Sequence, residues 1–285
     1  LEAGGSQTRP YEMKDTPESR QIDLIRERFT GAAETFVDYA LDSRVSEGEL
    51  LASVATAGVA PAEIKNWRAL DLACGPGTFT RALAARMRFV VGLDLTPALL
   101  ARAVKSVGEA SAAAGTVSAF ACGDGTRMPF ADGTFDLAIC GYSIHHMLHP
   151  ARVIAELARA VRVGGRVALA DMVARDGSDR EMHTRIEKAR DASHTLALFA
   201  GEFREYLQNA GMRVISSDLV EKTRNFEVWM NAMKVGRGTS AYAETRRLLE
   251  GTFGNDAAGM RPKINDAGEI EYSLPVINIV AEKVA

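Results

Sequence analysis

Five short apolar runs, separated by turns and by stretches of helical periodicity, constrain this chain more than any other feature. RALDLAC (68–74), RFVVGLDL (88–95), TVSAFACGD (116–124), FDLAICGYS (135–143) and GRVALADMV (165–173) are nearly continuous in apolar residues. A strand of this composition is buried on both faces, because a strand with one wet face alternates instead. Thr78–Met87, Pro97–Val107 and Ala151–Val161 carry helical spacing between them, with Pro97 suited to a first helical turn and Gly164-Gly165 expected to end the third helix. Strands alternating with helices at this rhythm predict an α/β fold, a Rossmann-like, doubly wound parallel sheet.

The flanks read differently. From Pro17 to about Ala57 apolar residues recur at helical spacing, and Ser46 with Glu49 predicts a capping box for a second helix there. After Ala174 a polar helix is expected over 179–190, which would leave His183 exposed, then a helix over 193–211 closed by Gly211. A strand over 212–222, helical segments near 226–234 and 240–250 and a last strand over 269–284 follow. The expected organisation is a flexible terminus (1–16), an N-terminal helical cap (17–66) and one Rossmann-like domain (67–285). A lid over 175–210 and a helical insertion over 224–265 belong to that domain, and the lid elements are expected to cover its cleft.

With 285 residues, 47% of them apolar, the chain suits one large domain. A net charge of −3 gives no basic footprint for nucleic acid. No apolar run approaches the ~20 residues of a membrane span, and no signal peptide is read. Cys74, Cys122 and Cys140 are odd in number and form no C-x-x-C pair, which predicts a reducing, cytoplasmic setting without disulfides or zinc.

LDLACGPGTF (70–79) carries the chemistry. In open α/β sheets ligands bind beyond the carboxyl ends of the strands, where strand order reverses. Gly75 and Gly77 permit positive φ and close approach of backbone to ligand, although a glycine turn alone is equally a tight connection. Asp94 ends the second run, where a carboxylate accepts both hydroxyls of a ribose; a dinucleotide enzyme shows the same. The third glycine of a dinucleotide fingerprint would fall at Thr80, and it is missing. In CGDGTRMPF (122–130), Asp124 is placed to accept from an adenine amino group, with the Gly125 amide facing a ring nitrogen.

Together LDLACGPGTFT, VVGLDLTPALLARA, CGDGTRMPFADGTFDLAICGYSIHH and LARAVRVGGRVALADMV resemble the successive motifs of class I S-adenosylmethionine-dependent methyltransferases, in particular the ubiquinone/menaquinone C-methyltransferase-like branch. The resemblance spans roughly residues 20–220. It implies S-adenosylmethionine as cofactor, with Ala73, Gly75 and Gly77 along its methionine part and Asp94 on the ribose. Leu95 and Gly125 would flank the adenine, Asp124 would hold its amino group, and Cys140 would close the pocket from the fourth strand. It also implies a seven-stranded sheet whose last strand, here 269–284, lies antiparallel between the fifth and sixth. Family members often carry a tyrosine in an N-terminal A-x-x-Y stretch that caps the cofactor; here AAETF supplies Phe36, which receives no catalytic role.

The implied activity is methyl transfer to an O-, N- or C-nucleophile of a small molecule, such as a natural product or quinone-like compound. The alternatives are an enzyme that keeps the cofactor for a rearrangement or cyclisation, and a non-catalytic binding module. Methyl transfer is an in-line displacement that positioning accelerates, and a protonated acceptor also benefits from a base. His145, His146 and His194 are the candidates, read either as pocket-shaping caps or as a base near the acceptor. His149 lies four residues from His145, but nothing around the pair makes a metal-binding context. Arg224 and Trp229, in KTRNFEVWM, are candidates for binding a carboxylate or flat ring, with a core role for the aromatic the alternative. Asp171 is an N-cap or a pocket residue.

Overall fold

The computed structural model describes residues 15–285, so most of the expected N-terminal tail lies outside the described residues. Each apolar run forms a strand: β1 (Arg68–Leu72), β2 (Phe89–Asp94), β3 (Val117–Cys122), β4 (Phe135–Gly141) and β5 (Val161–Met172). They are followed by β6 (Met212–Asn225), β7 (Lys263–Ile264) and β8 (Ile270–Lys283). The sheet runs β3-β2-β1-β4-β5-β8-β6, with the two-residue β7 attached to β8. β1 to β5 pair in parallel, whereas β8 inserts antiparallel between β5 and β6, the position expected for the 269–284 run. Strand order reverses between β1 and β4, and a crevice opens beyond their carboxyl ends.

Burial on both faces explains the continuous apolar runs. Leu70 and Leu72 of β1 pack with Val153, Leu157, Phe203 and Ile277 on one side of the sheet. Ala69 of the same strand packs with Leu51, Leu83, Val107 and Ile139 on the other. The helices that supply these layers are α4 (Pro61–Ile64), α5 (Thr78–Ala84), α6 (Pro97–Ala114), α7 (Pro150–Ala160) and α9 (Ala200–Asn209), with the cap helices α1 (Pro17–Gly31), α2 (Ala33–Ser43) and α3 (Val45–Ala55). The remaining helices are α8 (Arg180–Arg190), α10 (Phe226–Ala232) and α11 (Ser240–Glu250). Among the described residues no helix is long and apolar enough to cross a membrane.

Several local expectations are corrected. The Ser46–Glu49 box is not used: α3 starts at Val45 with Arg44 as its N-cap and no side-chain cap. α7 ends at Ala160 and the chain passes directly into β5, so Gly164 (φ 72°) and Gly165 belong to the strand and not to a helix end. The segment 193–211 becomes helical only at Ala200; before it, Ala197 and Leu198 are buried in extended chain, and the Ala174 amide donates to the Leu198 carbonyl at 2.8 Å. The polar helix α8 is not exposed on its inner face, where His183 and Glu187 are both fully buried.

Asp71 is the least expected core residue, enclosed within β1 and 1% exposed. Thr80, standing where a dinucleotide fingerprint would place glycine, donates its hydroxyl to Asp71 Oδ2 at 2.6 Å. Burial pushes the Asp71 carboxyl up to about 7, against roughly 4 in an unfolded chain. Between those values the folded protein holds a proton that the unfolded chain releases, so this group's contribution is full below ~pH 4 and is lost as pH rises through 7. The stability of Asp71→Asn relative to the wild type is therefore expected to rise, by the order of a few kcal/mol, between about pH 4 and pH 8. Urea unfolding at both pH values checks this, and a pH-independent difference would contradict it.

Candidate functional site

The crevice is built from the β1–α5 turn outwards. Ala73 (φ 55°), Gly75 (φ 53°) and Gly77 (φ 88°) all occupy the left-handed region, which folds the chain back within a few residues of the strand end. A Cβ on Gly77 would stand 2.5 Å from Val107 Cγ2, so that glycine lets the turn settle on α6 and does not face the cleft. A Cβ on Gly75 would meet only Phe36 Cε1 at 3.8 Å and would project into open cleft. The Gly75 amide donates to Asp94 Oδ2 at 2.8 Å, and the Thr96 amide donates to Oδ1 at 2.7 Å. Asp94 is 7% exposed, and burial raises its pKa.

Ala73, Gly75, Asp94, Leu95, Asp124 and Gly125 line one cleft, which encloses about 1210 Å³ of empty space, part of it open to solvent. Asp124 is braced by the Thr126 amide (2.9 Å) and hydroxyl (2.7 Å). Cys140 does not reach this cleft: it is fully buried in β4, and the wall there is made by Gly141, Tyr142 and Ser143. Phe36 does line the cleft, packed edge-on to Phe29 with ring centroids 5.0 Å apart.

The three candidate histidines cluster beside the cleft. His145 stacks on His194 at 5.2 Å and lies 4.3 Å from His146 between ring centroids. Only His146 lines the cleft; His145 and His194 stand behind it. His145 Nδ1 lies 2.6 Å from Asp171 Oδ1, and the Met172 amide also donates to that oxygen, at 2.7 Å. Burial holds His145 well below the usual imidazole range and raises Asp171 to about 7. Asp171 is thus the brace of His145 and caps no helix.

His146 is held by a different carboxylate. Its Nδ1 lies 3.1 Å from Ser193 Oγ, and that hydroxyl donates to Asp191 Oδ1 at 2.7 Å. Since a serine has one hydroxyl proton and Asp191 receives it, His146 Nδ1 must be the donor in its own bond. In the neutral ring this leaves the Nε2 lone pair free. Burial alone would raise the Asp191 pKa, but His146, Arg190, Ser193 and Arg28 together hold it below the ordinary carboxylate value. Gln21 fastens the cap helix here, donating through Nε2 to the carbonyls of His146 (2.8 Å) and Ser193 (2.6 Å). His149 sits at the exposed rim, 3.1 Å from Glu18.

Behind Tyr142 lies a cluster of buried polar side chains. Tyr142 itself adopts φ 54°, a conformation uncommon for a bulky residue and one that turns its ring off the end of β4. The Arg44 guanidinium carbon lies 4.1 Å from the centroid of that ring and the Arg224 one 6.0 Å. Trp229 is 2% exposed, tilted against Tyr272 at 4.9 Å and covered by Arg190 at 4.6 Å. Neither Arg224 nor Trp229 lines the cleft, and Trp229 belongs to the hydrophobic core. Tyr142, Arg44 and the Ser193–Asp191 pair are site residues that sequence reasoning missed. A tyrosine immediately after a strand-end glycine was the one available signal.

Residues 70–169, which contain the glycine turn, Asp94, Asp124 and His146, match the family described as a methyltransferase domain. That segment carries a methyltransferase domain. Around it, the chain is 32% identical over 127 residues to the demethylmenaquinone methyltransferase of Clavibacter sepedonicus, a match covering 45% of this chain and 49% of that protein. The chain thus spans about half the length of the curated relatives it matches. A Bacillus halodurans protein named as a methyltransferase superimposes with a TM-score of 0.70 at 25% identity, over 80% of this chain and all of that one. The methyltransferase fold is shared more distantly with the cyclase SpnF, at a TM-score of 0.66 and 15% identity over 92% of this chain and 96% of that one.

Proposed function

We propose that this protein binds S-adenosylmethionine in the cleft and transfers its methyl group to a small molecule held on the Tyr142 side. The observation that carries the reading is that two strand-end carboxylates, Asp94 and Asp124, line the same cleft as His146. The relatives' own names, as methyltransferases of demethylmenaquinone, support a small-molecule acceptor. The residues present fit the cofactor. Asp94 spends one lone pair of each oxygen on the Gly75 and Thr96 amides and keeps another on each for a ribose. Gly75 leaves open the space that a side chain would fill, and the buried Thr78 hydroxyl in the cleft wall has no partner among the described residues.

When bound, S-adenosylmethionine supplies an electrophilic methyl group on a sulfonium. The chain's contribution is placement and proton management. Asp94 and Asp124 would hold the adenosine end and Ala73 and Gly75 the methionine end, leaving the His146 and Tyr142 wall of the same cleft for the acceptor. The free Nε2 of His146 takes the proton that an O–H, N–H or acidic C–H acceptor gives up. The resulting imidazolium is stabilised through Nδ1–H and the Ser193 hydroxyl by Asp191. His145, with Asp171, and His194 shape the rear of this wall without touching the cleft. The cap helices α1 and α2, which line the cleft, act as a lid that excludes water from the reaction, whereas the 175–210 and 224–265 segments contribute no residue to its lining.

Two substitutions test the two halves separately. Asp94→Ala is expected to weaken S-adenosylmethionine binding by ~1.5–3 kcal/mol with the fold retained, since charge-assisted hydrogen bonds are lost at a strand end. An unchanged dissociation constant would show that the ribose lies elsewhere. His146→Ala is expected to lower turnover at least tenfold, about 1.4 kcal/mol on the barrier, while cofactor affinity stays within about twofold. S-adenosylhomocysteine formed in step with methylated product is the readout, and near-wild-type turnover would remove the base from the account.

A further inference from the structure

Ten of the twelve buried side-chain polar atoms that lack a hydrogen-bond partner among the described residues belong to Arg28, Arg44, His183, Glu187, Arg190, Asp191, His194, Trp229 and Tyr272. Native interiors satisfy nearly all such atoms, so this concentration of buried polar groups beside the cleft stands out. Its charge is unbalanced as well. The acidic groups around it each have a basic partner: Glu47 has Lys222 (3.0 Å), Glu187 has Arg190 (3.4 Å), Asp191 has Arg28 (3.6 Å) and Asp171 has His145 (2.6 Å). The guanidinium groups of Arg44 and Arg224 have none: neither makes a hydrogen bond or ion pair among the described residues, although both residues are half-buried.

These two guanidinium groups sit at one aromatic ring, that of Tyr142, whose own wall faces the cleft. Arg44 lines the cleft directly and also lies 5.5 Å from the ring centroid of Tyr39. Burial would raise the Tyr39 phenol, yet Arg224, Arg44 and Arg190 together hold it below its ordinary value, so three cations converge on that point. A half-buried, unpaired guanidinium is costly to keep unless an anion visits it. A planar guanidinium also matches a carboxylate through two parallel hydrogen bonds, as an ammonium does not.

Building on the methyl-transfer reading above, we propose that the acceptor is a small carboxylic acid whose carboxylate is taken by Arg224 and Arg44 beside Tyr142. The nucleophilic atom lies towards His146, and the anion sits at the far end, away from the adenosine-binding carboxylates.

Benzoate and its neutral isostere benzamide probe this, titrated by calorimetry into the full chain saturated with S-adenosylhomocysteine. Benzoate is expected to bind about tenfold or more tightly than benzamide. Arg224→Gln is expected to lower benzoate affinity by at least about fivefold, with S-adenosylhomocysteine affinity within about twofold. Arg44→Gln provides a second route to the same loss should the first variant fold poorly. Benzamide binding as tightly as benzoate, benzoate failing to bind at tens of millimolar, or affinity untouched by both substitutions would overturn the proposal. Failure of S-adenosylhomocysteine itself to bind the wild type would instead overturn the cofactor reading on which it rests.

Discussion

The hydrogen bond from the Gly75 amide to Asp94 joins the ends of the neighbouring strands β1 and β2, and the geometry of the cleft follows from it. To present that amide, the chain leaving β1 must reverse within a few residues. It does so through left-handed backbone at Ala73, Gly75 and Gly77. Asp94 is in turn held from the other side by the Thr96 amide, so its carboxylate cannot swing away and is paired, at a cost in burial, before any ligand arrives. The reversal of strand order between β1 and β4 opens the sheet over this point. Every other element of the site, from Asp124 to His146, is positioned relative to that fixed corner.

Much of the sheet was legible because burial on both faces leaves a plain mark. The runs at Leu70, Val91, Leu137 and Val167 had to be interior strands, and the glycine turn after the first marked the ligand end. Helix ends were less legible. Apolar residues from Thr195 to Phe199 satisfy helical spacing, yet tertiary contacts take them as extended chain pinned to Ala174. Ser46 and Glu49 have the right spacing for a cap, but the tight junction between α2 and α3 begins the helix two residues earlier, at Val45.

The cluster of buried polar side chains was not legible, for two physical reasons. Its members come from distant segments, with Tyr39 and Arg44 in the cap, Tyr142 after β4, Arg190 on α8, and Arg224 and Tyr272 on β6 and β8. No local pattern joins them; only the β6–β8 pairing, which sets Arg224 opposite Tyr272, begins to do so. The second reason is that polarity ordinarily signals solvent. α8 reads as a surface helix, whereas His183 and Glu187, one turn apart, both face inwards and are fully buried. A polar helix that hides its polar face is the inverse of the usual amphipathic arrangement.

The central claim is that the Asp94–Gly75 corner holds an adenosyl sulfonium and not a dinucleotide. Calorimetric titration of the wild-type chain with S-adenosylmethionine, S-adenosylhomocysteine and NAD tests it most directly. The account predicts saturable one-to-one binding of the first two and no response to NAD, because Thr80, tied to Asp71, stands where a pyrophosphate requires glycine. Tight NAD binding with no response to S-adenosylmethionine would contradict it.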